Sequence, residues 1–162
     1  SSHSVSDGEP WQKEMNPWLM DKMKAGVPTL GLCYGHQLIA HLFGGKVGFL
    51  YEDKSKTEGL REVHLEESEF WGPAQSGKLI VTHRETVQQA PSSFQIVGRS
   101  DLVSTDVLKH KTLPVWTFQS HPEAGERFLF NQKLHSIPAE KASFEFGHAL
   151  MESFLGFVNR SS

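Results

Sequence analysis

Val27-Pro-Thr-Leu-Gly-Leu-Cys33-Tyr-Gly-His-Gln37-Leu-Ile-Ala-His-Leu-Phe43-Gly-Gly45 holds a short apolar run, a glycine, the single cysteine, a second glycine and then a helical apolar pattern. Leu38, Ile39 and Leu42 share one side of that pattern, so the stretch predicts a strand, a sharp turn and a helix from Gly35 to Phe43, ending at Gly44-Gly45. Glycines two before and two after a nucleophile let the backbone bend tightly and leave room for a substrate, which is the layout of a nucleophile elbow with cysteine in place of serine. A lone cysteine is ordinarily a small core residue; the Gly31-x-Cys33-x-Gly35 turn is what points to chemistry. At a helix start the unpaired amides and the positive dipole end favour a thiolate, so Cys33 is expected to ionise readily.

Several function classes are disfavoured by composition. A length of 162 residues suits one domain with a real core, and a net charge of −3 lacks the clustered Lys and Arg of a nucleic-acid binder. No apolar run approaches membrane-spanning length and no signal peptide is evident. One cysteine cannot form an internal disulfide, which predicts a reducing, cytoplasmic setting. The nine histidines are scattered without zinc-site spacing, so most read as surface or loop residues and no metal is expected.

Upstream of the elbow, Ser1–Pro10 reads as a loop. Asn16 and Pro17 fit the N-cap and first position of a helix ending at Gly26, with Trp18, Leu19 and Met23 toward the core. Val27–Leu32 is nearly unbroken in apolarity, the pattern of a parallel strand covered on both faces. Downstream, Lys46–Phe49, Arg61–Leu65, Leu79–Thr82, Phe94–Gly98, Leu102–Ser104 and Asp106–Leu108 read as short β segments, with a turn at Phe70–Pro73 and a loop at His83–Thr86. Arg127–Ser136 starts helical, and Phe144, Ala149, Leu150, Phe154 and Phe157 form the apolar stripe of a closing helix. The expected class is α/β: a flavodoxin-like, doubly wound, mostly parallel sheet with added β segments and the site beyond the C-terminal ends of its strands.

The run Val115-Trp-Thr-Phe-Gln119 delivers Ser120-His121-Pro122-Glu123 at its end. A cysteine nucleophile needs a base, and the base needs an orienting group. In an extended chain residues two apart point to the same side, about 6.6 Å apart, so Glu123 can reach the His121 imidazole while Pro122 keeps the segment rigid. Neither fragment is specific alone, but each supplies what the other lacks. One oxyanion donor is expected from the Tyr34 N–H; no glycine-rich loop upstream offers the second.

Taken together, Gly31-Leu-Cys33-Tyr-Gly35-His-Gln37 with Ile39-Ala and Gly44-Gly45, Val81-Thr-His83 with Val87, and Gln119-Ser-His121-Pro-Glu123 resemble the class I (triad) glutamine amidotransferases over essentially the whole chain. Within that family the chain is similar to stand-alone proteins related to the glutaminase half of guanosine-monophosphate synthetase. The resemblance implies Cys33 as nucleophile, His121 as acid/base, Glu123 as its orienter, and Gln37 at the substrate's amino-acid end. It also implies that the Thr82–Glu85 loop, with Thr82, Arg84 and Glu85, lines the substrate. No cofactor is implied, glutamine is the implied substrate, and a separate synthase is the implied ammonia acceptor. Ser120 departs from the bulky residue usual in the family. Ser1–Asp7 looks like the segment that follows the family's oxyanion loop, so residues 1–162 are expected to form a single but N-terminally incomplete domain. Loss of one oxyanion donor would slow such an enzyme on the order of 100- to 1,000-fold. Two alternatives stay open at this point: hydrolysis of γ-glutamyl peptides or conjugates by the same triad, and a catalytically silent binding domain.

Overall fold

The computed structural model describes residues 4–138 and 141–161. Residues 1–3, part of the segment read as following an oxyanion loop, lie outside the described residues. The elements run α1 (Pro10–Lys24), β1 (Thr29–Leu32), α2 (Tyr34–Leu42), β2 (Lys46–Phe49), β3 (Thr57–Leu65), β4 (Gln75–His83), β5 (Glu85–Gln89), β6 (Phe94–Arg99), β7 (Val107–His110), β8 (Val115–Phe118), α3 (Glu126–Asn131) and α4 (Ala142–Ser161). Among the described residues no helix is long and apolar enough to cross a membrane.

The fold is mixed α/β. The main sheet has the order β1-β8-β7-β6-β3-β4, and β2 pairs with β5 in a second, two-stranded sheet. β1 and β8 are parallel, in register Thr29↔Val115 to Leu32↔Phe118. The other named pairings, β3–β4, β3–β6, β6–β7, β7–β8 and β2–β5, are antiparallel. The expected extra β segments therefore make up most of the described sheet, and parallel pairing is confined to the two strands that carry the site. β1 has one neighbour among the described residues, so it is a sheet edge here, but Leu30 and Leu32 pack against the layer of Phe70 and Trp116 while Gly31 lies against Gly35 and Ile39 of α2, so it is covered on both faces as its apolarity suggested. Past β8 the chain turns to β4, where the His121 N–H donates to the Ile80 carbonyl at 2.7 Å, so the sheet curls back on itself.

Strand alternation distributes β8 between two layers. Val115 joins Met23, Ile39, Ala40, Phe94 and Leu108 beneath α1 and α2. Trp116 and Phe118 join Phe70, Trp71, Leu79 and Leu150 on the opposite face, with Phe154 and Phe157 packed against them from α4. Helices thus cover both faces, as a doubly wound arrangement requires. The ring of Phe146 lies over Gly77 so closely that a Cβ there would fall 2.3 Å from its Cγ. In α4 the stripe includes buried Phe144 and Leu150, but Ala149 is exposed.

Four local expectations change, one of them at Leu102–Ser104, which forms no strand between β6 and β7. α1 starts at Pro10, not at Asn16-Pro17: Gln12 Oε1 accepts from the Glu9 N–H at 2.7 Å, and Pro10 occupies a first-turn position where no amide hydrogen is needed. Pro17 sits inside the helix, where it forgoes one backbone hydrogen bond, and Trp18 is 59% exposed. Strand β4 runs through His83 and β5 begins at Glu85, so the expected four-residue loop shrinks to Arg84.

Candidate active site

β1 and β8 end side by side, and the chemistry-bearing residues follow each of them directly. The Cys33 N–H donates to the Phe118 carbonyl at 2.8 Å, extending the parallel ladder by one residue. Cys33 then takes φ 49° and ψ −98°, a left-handed conformation that costs a non-glycine residue on the order of 1–3 kcal/mol. Gly31 makes this bend feasible: a Cβ there would lie 2.8 Å from the Gly35 carbonyl oxygen and 2.7 Å from Ile39 Cδ1. Helix α2 begins at once, with Tyr34, and its first turn presents backbone N–H groups that lack intrahelical acceptors. The Tyr34 hydroxyl accepts from Gln12 Nε2 at 2.8 Å and its ring lies 5.9 Å from that of Trp11, so α1 steadies the residue whose amide is the expected oxyanion donor.

After β8, His121 Nδ1 lies 2.8 Å from Glu123 Oε1. A turn brings the two together, closed by the Ala124 N–H donating to the His121 carbonyl at 3.1 Å, with Pro122 at the turn position that its fixed φ favours. This replaces the extended segment expected from the spacing. The Phe128 ring packs 4.6 Å from the imidazole, and Ser120, the preceding residue, is fully buried. Burial opposes charge on His121, but hydrogen bonding and charge interaction with Cys33 and Glu123 outweigh it and push its pKa up to about 9. The buried Nε2 atom has no partner at full hydrogen-bond geometry among the described residues, and it is the ring nitrogen left for the sulfur. Cys33 Sγ itself is 3.9 Å from both the Thr82 carbonyl oxygen and Gln119 Nε2.

A polar layer lies under these groups. Gln37 Nε2 donates to the Glu85 carbonyl at 2.6 Å and to Gln119 Oε1 at 3.2 Å, which leaves the Gln37 oxygen as the group it can present. The Glu85 carbonyl also accepts from His83 Nδ1 at 2.9 Å, and the Glu85 carboxylate accepts from the Ser4 hydroxyl at 3.0 Å. Burial, reinforced by the Arg61 charge, pulls the His83 pKa down to about 4. Burial and then the field of His83 take His36 down to about 3, and its Nδ1 lies 2.7 Å from Thr117 Oγ1. Arg61 and Asp106 form a pair at 3.1 Å with 8% and 0% of their side chains exposed; burial raises the Asp106 pKa against the opposing effect of its hydrogen bonds and the Arg61 charge.

Seven of the expected site residues therefore meet around the two strand ends: Cys33, Tyr34, Gln37, Thr82, Glu85, His121 and Glu123. The Arg84 side chain is exposed, and its carbonyl accepts from the Leu50 N–H at 2.8 Å. Sequence reasoning passed over Gln119, quoted only as part of a motif, and treated most histidines as peripheral. His36, His83 and His110 are buried. Their apolar neighbours in sequence were the available signal, since each sits in or beside an apolar run.

Residues 8–133 match the family model for glutamine amidotransferase class-I. A glutamine-hydrolysing GMP synthase subunit from Pyrococcus abyssi is 39% identical over 112 residues, covering 65% of this chain and 58% of that protein. Its counterpart from Methanocaldococcus jannaschii is 32% identical over 117 residues, 71% of this chain and 61% of that one. The chain thus spans about three fifths of the length of these relatives. In fold it is similar to a glutamine amidotransferase from Thermotoga maritima, with a TM-score of 0.80 at 18% identity over 98% of this chain and 74% of that chain. The match of the family model over most of the chain places this protein in the class I glutamine amidotransferase family.

Proposed function

We propose that this chain hydrolyses the side-chain amide of glutamine through a thioester on Cys33. The observation that carries the reading is the meeting of a sulfur on a left-handed elbow with an imidazole oriented by Glu123 and pushed up to about 9 partly by that sulfur. At neutral pH His121 is then protonated. Cys33 Sγ attacks the carboxamide carbon, the carbonyl oxygen becomes an oxyanion facing the Tyr34 N–H, and His121 gives its proton to the departing nitrogen, releasing ammonia. His121, now neutral, takes a proton from water as the water oxygen attacks the thioester; the C–S bond breaks, glutamate leaves, and the proton returns the site to its starting state. Gln37, through its oxygen, and the Thr82 and Glu85 backbone are positioned to orient the amino-acid end of the substrate. The relatives are named as one subunit of a synthase, which supports a separate protein as the acceptor of ammonia.

Glutamate release from glutamine, measured for the chain and for Cys33→Ala, tests this. The substitution is expected to lower turnover by at least about 1,000-fold, in line with removal of a nucleophile elsewhere. An electrophilic glutamine analogue should label Cys33 one-to-one. Turnover that survives in Cys33→Ala, or labelling at another residue, overturns the reading.

A further inference from the structure

The Gln119 carboxamide is wholly buried and sits between two groups that matter for the proposed chemistry. Its Nε2 faces Cys33 Sγ at 3.9 Å, its Oε1 accepts from Gln37 Nε2 at 3.2 Å, and its backbone N–H donates to the Asp106 carbonyl at 2.8 Å. An amide can turn end for end, and which end meets the sulfur decides whether it helps or opposes a negative charge there. The surroundings remove that freedom. The Glu85 carbonyl can only accept, so the Gln37 group facing it at 2.6 Å is the NH2. That same nitrogen faces Gln119, so the Gln119 end toward Gln37 is the oxygen. The other end, the NH2, is therefore turned to the sulfur. His83, donating to the Glu85 carbonyl at 2.9 Å and kept neutral by burial, holds the far end of the chain in place.

We infer that Gln119 is a positioning residue whose amide nitrogen steadies the Cys33 thiolate, its polarity set through Gln37 by the Glu85 carbonyl. This rests on Cys33 being the nucleophile. It gives the thiolate a donor besides His121, both before the attack on the amide and when the C–S bond of the thioester breaks. It also links the proposed substrate contact to the nucleophile: when the Gln37 side chain moves, the amide facing the sulfur loses its fixed direction.

Alkylation of Cys33 by iodoacetamide, which needs the thiolate but no recognition of glutamine, separates this role from substrate binding. For Gln119→Met the rate at pH 7 is expected to fall about 10-fold and to return to the parent's rate near pH 10. For Gln119→Glu, which puts an anion beside the sulfur at nearly equal volume, a larger fall is expected. Gln37→Met, which leaves Gln119 in place but frees its direction, is expected to show about a threefold fall with the same return at high pH. Circular dichroism establishes that each variant is folded, and the Gln37 variant serves if the buried Gln119 substitutions do not fold. Rates equal to the parent's at pH 7 in the folded variants, or a fall that persists at pH 10, overturn the inference. A parent chain that alkylates as expected but does not hydrolyse glutamine sinks the proposed function and leaves this relay standing; normal hydrolysis with unshifted alkylation does the reverse.

Discussion

The two faces of β8 are built for opposite purposes. Trp116 and Phe118 point into an aromatic layer in which the Phe70 and Trp116 ring centroids lie 5.4 Å apart and those of Trp116 and Phe157 4.9 Å apart, both edge-on. Thr117, one residue between them, points the other way and meets His36. The apolar face satisfies itself with area and dispersion and asks little of geometry. In the polar layer under the site, groups such as Arg61 Nη2, Asp106 Oδ2 and His83 Nε2 are buried with no hydrogen-bond partner among the described residues. A desolvated polar group costs free energy, so this half of the core is held in shape at the expense of the other half. One strand joins a stabilising layer to a costly one, and the catalytic candidates hang from the end of it.

The comparison breaks most visibly at Trp116. Truncation to alanine removes a fully buried indole from the aromatic layer and is expected to cost about 3–5 kcal/mol in urea unfolding. Iodoacetamide alkylation of Cys33 in the protein that remains folded should stay within about twofold of the parent, because the indole faces away from the sulfur. A loss of thiol reactivity as large as the loss of stability would mean that the two faces are not independent.

The same division governs what could be read from sequence. The elbow and the His121-Pro122-Glu123 segment were legible because their information is local: glycines flanking a cysteine, and a carboxylate two residues from an imidazole. The start of α1 was not, since Asn16-Pro17 and Glu9-Pro10 are both acceptable helix openings and the winner is set by Gln12, whose amide also bonds to Ser4 and Tyr34. The buried histidines were missed for a related reason. His36 meets a threonine 81 residues away, and the apolar run beside it in α2 signals burial without revealing that partner. Gln119 escaped because an amide at a strand end is ordinary until the groups at both of its ends are known.

A second test targets the polar face through acid. His36 and His83 are held down to about 3 and about 4 in the folded chain, below the unperturbed value near 6.5. As pH falls below about 6.5 the unfolded chain takes up protons that the folded chain refuses, so stability is lost between about pH 6.5 and pH 4. His121 runs opposite: raised to about 9, it contributes stability that is fully present below about 6.5 and lost as pH rises through 9. Urea unfolding at pH 6.5 and pH 5 should differ by on the order of 2 kcal/mol. His36→Gln should show a shallower slope, since one of the two refusing groups is gone. A slope unchanged in that variant would mean that His36 does not carry the acid sensitivity; Asp106, whose pKa is raised by burial, favours protonation in the folded chain and so works against that loss.

The smallest expected effect falls on the residue that separates the two faces. Thr117→Val keeps the shape of the side chain and its place under α2 but removes the hydroxyl 2.7 Å from His36 Nδ1. A hydroxyl can donate or accept, so threonine satisfies that nitrogen in either neutral tautomer of the ring; valine satisfies it in neither. Nδ1 would be left buried without its partner, at a cost of about 1 kcal/mol by urea unfolding at pH 7.5. Against this, valine adds apolar area to the layer beneath α2, where Val115 and Leu108 already pack. The sign of the measured change therefore decides between two descriptions of the strand. Destabilisation means that the polar face is a set of paired groups in which each partner counts. A gain in stability would mean that the threonine is a concession to the histidine, kept for the sake of the site and not for the fold.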